Sequence, residues 1–372
     1  MKVVLGVGNY SYGYGMAHVV DGLARELSTL GVETLVVSGR ASIDTKTPVI
    51  CCGYNEFLKH THVSKVIAEV SKMNPDIFHS HYYPMDLCGA ALSRSMVHVM
   101  HVHGILSRKY WQNLRVGLEC LRSSIAERVG LMFSSKVVTV SKFLKRELMR
   151  MGLKSQDVNV IYPFIDPDFF RPIEKRIDEF PPSSESPNIL SVGTICERKG
   201  QHHLVEAMKF VTREDPNARL LFVGRTGQED PSYFTRIRER IIHLRLENNV
   251  FFKGFIPVGA LPSMYSSSDI FATGTMWEGF GLPVAEAMAS SLPVVCFDTT
   301  SLSELVLDEV NGFKASPFDA ESLAWKITTL VQDRKLRQKM GANGMKMAQA
   351  NFGRDNVRQL YKLYEVAMKK KT

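Results

Sequence analysis

The sequence predicts an α/β protein of two doubly wound domains, each a parallel sheet covered by helices. Three observations carry that prediction. Short apolar, β-branched runs alternate with amphipathic helical stretches along the chain. The alternation breaks once, at a segment rich in proline, serine and charge, and then restarts. Finally, 372 residues are too many for one ordinary hydrophobic core. Strands buried on both faces read as near-continuous apolar runs, which is the condition of a parallel sheet between helix layers.

In order, KVVLGVG (2–8) reads as a strand and HVVDGLAREL (18–27) as an amphipathic helix. TLVVSG, DIFHSH, VHVMHVHG and VVTVS follow as strands with helical stretches between them. The segment DPDFFRPIEKRIDEFPPSSESP (166–187) is a linker by composition. The second half resumes with NILSVG (188–193), a helix from about Gln201, ARLLFVG (218–224), NNVFFKGF, DIFAT and LPVVCFD. This divides the chain into domains 1–165 and 188–353, joined by the linker 166–187 and expected to face each other across a cleft. A closing helical stretch, 354–372, contains NVRQLYKLYEVAMKKK (356–371).

The opening MKVVLGVGNYSYGYG reads as a buried strand and loop, not a signal peptide. No apolar run approaches the length needed to cross a bilayer. Six cysteines show neither CxxC spacing nor a dense disulfide pattern, so a reducing cytoplasm is the expected compartment. The net charge of +8 is concentrated. Residues 104–154 hold 11 Lys or Arg against 3 Glu, an excess equal to that of the whole chain. Such clustering points to an anionic partner such as a membrane surface, a nucleic acid or a phosphorylated substrate. A solvated basic helical face explains it equally well.

The stretch EGFGLPVAEA (278–287) carries glutamates at 278 and 286 around two glycines and a proline. Proline suits the first helical turn, so a helix is expected to begin near Pro283, with Glu286 near its opening and Glu278 on the loop before it. The amides of that loop and the positive helix end suit an anion such as phosphate. Carboxylates on either side can accept hydrogen bonds from hydroxyls. Phosphate flanked by hydroxyls describes a nucleotide sugar. A capping carboxylate plus a surface acid would leave the same pattern.

EGFGLPVAEA resembles the Glu-x7-Glu signature of retaining GT-B glycosyltransferases, specifically glycosyltransferase family 4. VGTICERKG (192–200), FKGFIP (252–257), MYSSSDIFA (264–272), MASSLPVV (288–295) and SELVLDEVNGF (303–313) fall in that family's order and spacing. So do the early glycine loop, DIFHSHYY (76–83), HVHG (101–104) and VVTVSKF (137–143) in the first half. The resemblance implies two Rossmann-like domains, the first binding an acceptor and the second a UDP-, GDP- or ADP-sugar, with 354–372 packing back toward the first domain. It implies hexosyl transfer with retention to a glycan or lipid-linked acceptor, without a cofactor. By it, Glu278 binds hydroxyls of the transferred sugar and Glu286 the ribose. The amides of Gly279, Phe280, Gly281 and Leu282 hold sugar or phosphates, and Lys199, at the start of a helix, neutralises the diphosphate. Gly15 lets amides approach the same phosphate, although the family has two adjacent glycines where this chain has Tyr14-Gly15. The family's arginine is replaced by Thr194, and Arg198 beside Lys199 is the candidate for the missing cation. A glutamate placed on hydroxyls is not a nucleophile beneath the anomeric carbon, so front-face attack is implied rather than double displacement.

His103 ends a strand-like run before Gly104, where the family places a histidine on the donor sugar. His79 and His81 share a strand face, as do His101 and His103, but no carboxylate pair completes a hard-metal site, and no metal is assigned. A dehydrogenase is disfavoured because Gly6, Gly8 and Ser11 break the G-x-G-x-x-G fingerprint. A GT-B sugar-nucleotide epimerase shares the fold but leaves the basic first half unexplained. A nucleic-acid-binding protein explains the charge and little else.

Overall fold

The computed structural model describes residues 1–11, 15–42, 45–53, 61–105, 114–173, 187–227 and 230–369. Most of the expected linker (174–186), the loop 12–14 and the start of the basic segment (106–113) lie outside the described residues. The chain forms two compact units, Met1–Phe164 together with Arg354–Thr372, and Ile165–Gly353.

The first unit holds strands β1 (Lys2–Ser11), β2 (Glu33–Ser42), β3 (Val49–Cys51), β4 (Ile77–His81), β5 (Val97–Val102), β6 (Lys136–Thr139) and β7 (Val158–Val160). They form one seven-stranded parallel sheet in the order β3-β2-β1-β4-β5-β6-β7. Helices α1 (Gly15–Thr29), α2 (Thr61–Met73), α3 (Met85–Leu92), α4 (Leu114–Phe133) and α5 (Lys142–Arg150) connect them. The side chain of Ser141 caps α5 by accepting from the Leu144 amide at 3.1 Å.

The second unit holds β8 (Asn188–Val192), β9 (Arg219–Val223), β10 (Val250–Gly254), β11 (Ile270–Thr273), β12 (Val294–Phe297) and β13 (Gly312–Ala315). Their order is β10-β9-β8-β11-β12-β13, again all parallel. Its helices are α6 (Gln201–Glu214), α7 (Pro231–His243), α8 (Leu261–Ser266), α9 (Leu282–Ala289), α10 (Leu302–Leu305), α11 (Ala320–Gln332) and α12 (Arg334–Asn351). Asp230 caps α7, whose first residue is a proline, as its missing N–H permits.

The last helix, α13 (Arg354–Lys369), belongs to the first unit. Its Val357, Leu360, Tyr364 and Ala367 recur at helical spacing and join the core formed by Val3, Leu5, Val20, Leu23 and Leu27. Each aliphatic side chain of this kind contributes roughly 1.5–3 kcal/mol when fully buried. Arg354 adds a polar tie to Glu26 of α1, at 2.9 Å.

Both sheets reverse their winding once. In the first, β1 stands between β2 and β4. In the second, β8 stands between β9 and β11. Doubly wound sheets bind ligands outside the carboxyl ends of the strands at such a switch point, because the flanking loops part there. Among the residues singled out in the second half, Arg198 and Lys199 follow β8, and Glu278 to Leu282 follow β11.

Candidate functional site

In the second unit, the loops leaving β8 and β11 touch backbone to backbone. Gly200 adopts φ +61°, in the left-handed region, and a Cβ there would lie 1.9 Å from the carbonyl oxygen of Gly274. A Cβ on Gly274 would lie 2.3 Å from the carbonyl oxygen of Gly200. Only glycine at both positions permits this approach, and the Met276 amide then donates to the Arg198 carbonyl at 2.9 Å. Lys199 therefore stands in a 3-10 turn, Glu197–Lys199, directly before α6, which begins at Gln201 where the sequence placed its start. Left-handed Gly200 separates the two, because the chain must turn sharply to meet Gly274.

That turn aims two cations at one carboxylate. The Lys199 ammonium donates to Oε2 of Glu278, and the Arg198 guanidinium lies 3.7 Å from the same oxygen. Arg198 also donates to the Trp277 carbonyl at 3.2 Å. Burial pushes the Glu278 carboxyl up, but Lys199, Arg198 and the Gly279 amide outweigh it and hold the group below the usual carboxylate range. Glu278 is thus ionised at neutral pH. Its backbone is held too: its amide donates to Thr300 Oγ1 at 3.3 Å. The Ser301 hydroxyl lies 2.9 and 2.8 Å from the carbonyls of Glu278 and Phe280.

α9 begins at Leu282 with Pro283 in its first turn, as the sequence predicts. Gly281 precedes it at φ +104°, and a Cβ there would come within 2.9 Å of Leu302. The first amides of any helix lack an acceptor one turn back, so those at Gly281 and Leu282 suit an anion. The Phe280 ring packs edge-on against Phe352, with centroids 5.4 Å apart, so what Phe280 offers a ligand comes from its main chain. Glu286 projects from the second turn, where Oε2 accepts from the Tyr265 hydroxyl at 2.6 Å. Burial raises the Glu286 carboxyl to about 7, with Tyr265 and Lys199 partly opposing the rise.

Sequence reasoning missed Tyr265, Thr300, Ser301 and Gly274. Tyr265 is fully buried, and a buried phenol needs a hydrogen-bond partner. Its place in MYSSSDIFA was visible, but nothing local tied it to Glu286. Ser301 and Thr300 look like ordinary turn residues until β11 and β12 bring them to the glutamate.

The two site residues assigned to the first unit lie apart from each other in sequence. Gly15 is exposed at the opening of α1. His103 directly follows β5, half-buried, with Nε2 at 2.8 Å from Nδ1 of His81. Its ring stacks on His101 at 4.3 Å between centroids. Burial first, then the neighbouring imidazoles, push His79, His81 and His103 well below the ordinary histidine value, and burial takes His101 down to about 3. All four rings are neutral at pH 7.

Two family models match this chain: Glycosyltransferase Family 4 over residues 14–169 and Glycosyl transferases group 1 over residues 172–347. A glycosyltransferase of Methanocaldococcus jannaschii is 30% identical over 243 residues, which span 63% of this chain and 61% of that relative. The mannosylfructose-phosphate synthase of Agrobacterium fabrum is 23% identical over 369 residues, or 89% of this chain and 81% of its own length. Among solved structures, Anabaena HepE in complex with UDP and glucose superposes with a TM-score of 0.83 at 22% identity, covering 97% of this chain and 98% of its own. Sucrose-phosphate synthase from Thermosynechococcus elongatus gives 0.84 at 22%, covering 98% of both chains. At such identities the likeness is one of fold, two parallel-sheet Rossmann-like α/β domains as in GT-B proteins.

Proposed function

Because the chain belongs to the GT-B glycosyltransferases, family 4 over its first half and group 1 over its second, we propose that it moves a sugar from a nucleotide-sugar donor to an acceptor hydroxyl with retention of configuration. A UDP-, GDP- or ADP-hexose is the donor. A glycan or lipid-linked acceptor places the reaction in glycan, lipopolysaccharide or glycolipid synthesis. One observation carries this reading: at the switch point of the second sheet, two cations meet an ionised Glu278 while Glu286 stands nearby at about 7.

In this reading Glu278 accepts hydrogen bonds from the sugar's hydroxyls and Glu286 from the ribose. Lys199 and Arg198 turn to the diphosphate, assisted by the amides of Gly279 to Leu282. In the first unit, Gly15 is assigned to offer main-chain amides to a phosphate and His103 to contact a sugar. A Glu278 carboxylate engaged on the sugar's hydroxyls is not beneath the anomeric carbon, which favours front-face attack with the leaving phosphate taking the acceptor's proton. Catalysis is then chiefly stabilisation of the departing diphosphate. HepE has been solved with UDP-glucose, which makes UDP-sugars the first donors to try.

Thermal unfolding in the presence of UDP-, GDP- and ADP-sugars, with NAD in parallel, tests the class. One nucleotide sugar should raise the unfolding midpoint, since about 100 times Kd of a ligand adds about 2.7 kcal/mol of apparent stability. A rise with NAD alone would overturn the reading.

The basic segment 104–154 is proposed as the contact with an anionic membrane, on its cytoplasmic face. No helix among the described residues is long and apolar enough to cross a membrane. On α4, however, Ile125, Arg128, Met132 and Phe133 form an exposed stripe at helical spacing, and Lys142, Arg146 and exposed Met149 follow on α5. Vesicle co-sedimentation should favour anionic over neutral lipid and weaken at high salt. Equal binding to both lipids would leave a basic face for a water-soluble acceptor.

A further inference from the structure

The first unit contains three clustered histidines, His79, His81 and His101, that the proposed donor chemistry does not use. β4 and β5 run side by side with His81 opposite His101, and residues two apart on a strand share a face. His79 and His81 on one strand therefore gather with His101 and the following His103 on the other. Ring centroids are 4.4 Å apart for His79 and His81, 5.2 Å for His79 and His101, and 5.1 Å for His81 and His101. His79 and His81 are 0% exposed and His101 is 5% exposed.

The hydrogen bonding of these rings is one-sided. His79 uses Nδ1 on the hydroxyl of Tyr364, at 2.6 Å, and His81 uses Nδ1 on His103. The remaining Nε2 atoms of His79 and His81, and both ring nitrogens of His101, have no hydrogen-bond partner among the described residues. Native interiors rarely leave four such atoms unserved within one small volume. One nitrogen from each of the three rings falls within 4.8 Å of the others.

We propose that His79, His81 and His101 bind one divalent transition-metal ion of borderline softness, of the zinc, cobalt or nickel class. The lack of carboxylates that argues against magnesium or calcium is the donor set such ions take. Neutral imidazole is the ligating form. A ligating histidine ordinarily engages its other ring nitrogen with an outer partner, the role that Tyr364 and His103 fill here. The ion ties β4, β5 and, through Tyr364, α13 into one body. It also sets a tautomer: an ion on Nε2 of His81 leaves the proton on Nδ1, which then donates to Nε2 of His103.

The test uses the tag-free full-length chain, stripped with a strong chelator and titrated with Co2+ and, separately, Zn2+. One equivalent of Co2+ should develop visible ligand-field absorption, Zn2+ should displace it, and the unfolding midpoint should rise with either ion. His101→Ala should abolish the absorption. Tyr364→Phe, which keeps the packing, should weaken uptake about ten- to a hundredfold through the outer partner. Failure of the stripped wild-type chain to take up either ion overturns the proposal and leaves the buried nitrogens to water. Uptake unchanged in both variants overturns it too, placing the ion at other histidines such as His202 and His203.

Discussion

Replacing Lys199 with alanine is expected to slow sugar transfer about ten- to a thousandfold, with the larger part of the loss in kcat. The reason lies in where charge develops. In the proposed reaction, as the glycosidic bond to the diphosphate breaks, negative charge collects on the leaving oxygens, and fixed cations in a low-dielectric site stabilise it far more than in bulk water. Lys199 and Arg198 already converge on one carboxylate oxygen of Glu278, so both side chains are directed to the same place. Arg198→Ala should therefore produce a loss of similar size, if, as the sequence resemblance implies, Thr194 stands where the family carries its second cation. Thr194→Arg in the Arg198→Ala background should recover part of it. Steady-state rates at saturating donor check all three variants, with unfolding midpoints measured in parallel. That control matters because removing Lys199 leaves Glu278 less well paired, at a stability cost on the order of 1–3 kcal/mol. Near wild-type turnover in Arg198→Ala beside a crippled Lys199→Ala would show that the lysine and the helix end suffice.

Glu286→Ala is expected to weaken nucleotide binding by about 1.5–3 kcal/mol, roughly ten- to a hundredfold in Kd. In the proposed reading, the interaction lost is an ionised carboxylate accepting two ribose hydroxyls. The raised pKa gives this prediction a second signature. Burial holds the Glu286 carboxyl at about 7, so at pH 6 it is mostly protonated and at pH 8 mostly ionised. If only the ionised form accepts both hydroxyls, affinity should strengthen roughly tenfold from pH 6 to pH 8, with a proton released on binding below neutrality. Glu286→Gln should flatten that profile. The stability linkage runs the other way. Folded Glu286 holds its proton more tightly than an unfolded glutamate, so its contribution to stability is full below the unfolded value and is lost as pH rises through about 7. Calorimetry with UDP, GDP and ADP at three pH values reads both effects. Unchanged affinity for the best nucleotide would remove Glu286 from the ribose.

The sequence by itself determined the elements and their class. Runs such as ARLLFVG and LPVVCFD are apolar on both faces, and only a sheet covered on both sides can bury them. The break in EGFGLPVAEA is equally local: a proline suited to a first helical turn places the helix start near Pro283, and α9 begins at Leu282. Membership of a glycosyltransferase family was legible in the same motifs, and so were the two glutamates and Lys199 as residues to watch.

What only the tertiary structure decided is which distant residues meet. Lys199 and Glu278 are 79 positions apart and touch because β8 and β11 are neighbours, and strand order leaves no mark in local periodicity. Tyr265 reaches Glu286 through the packing of α8 and α9, and Tyr364 reaches His79 across 285 positions because α13 closes over the first sheet. The two raised or lowered glutamates and the four neutral histidines follow from those meetings. A side chain's charge state is set by the water it loses and the partners it gains, and both come from elements far along the chain.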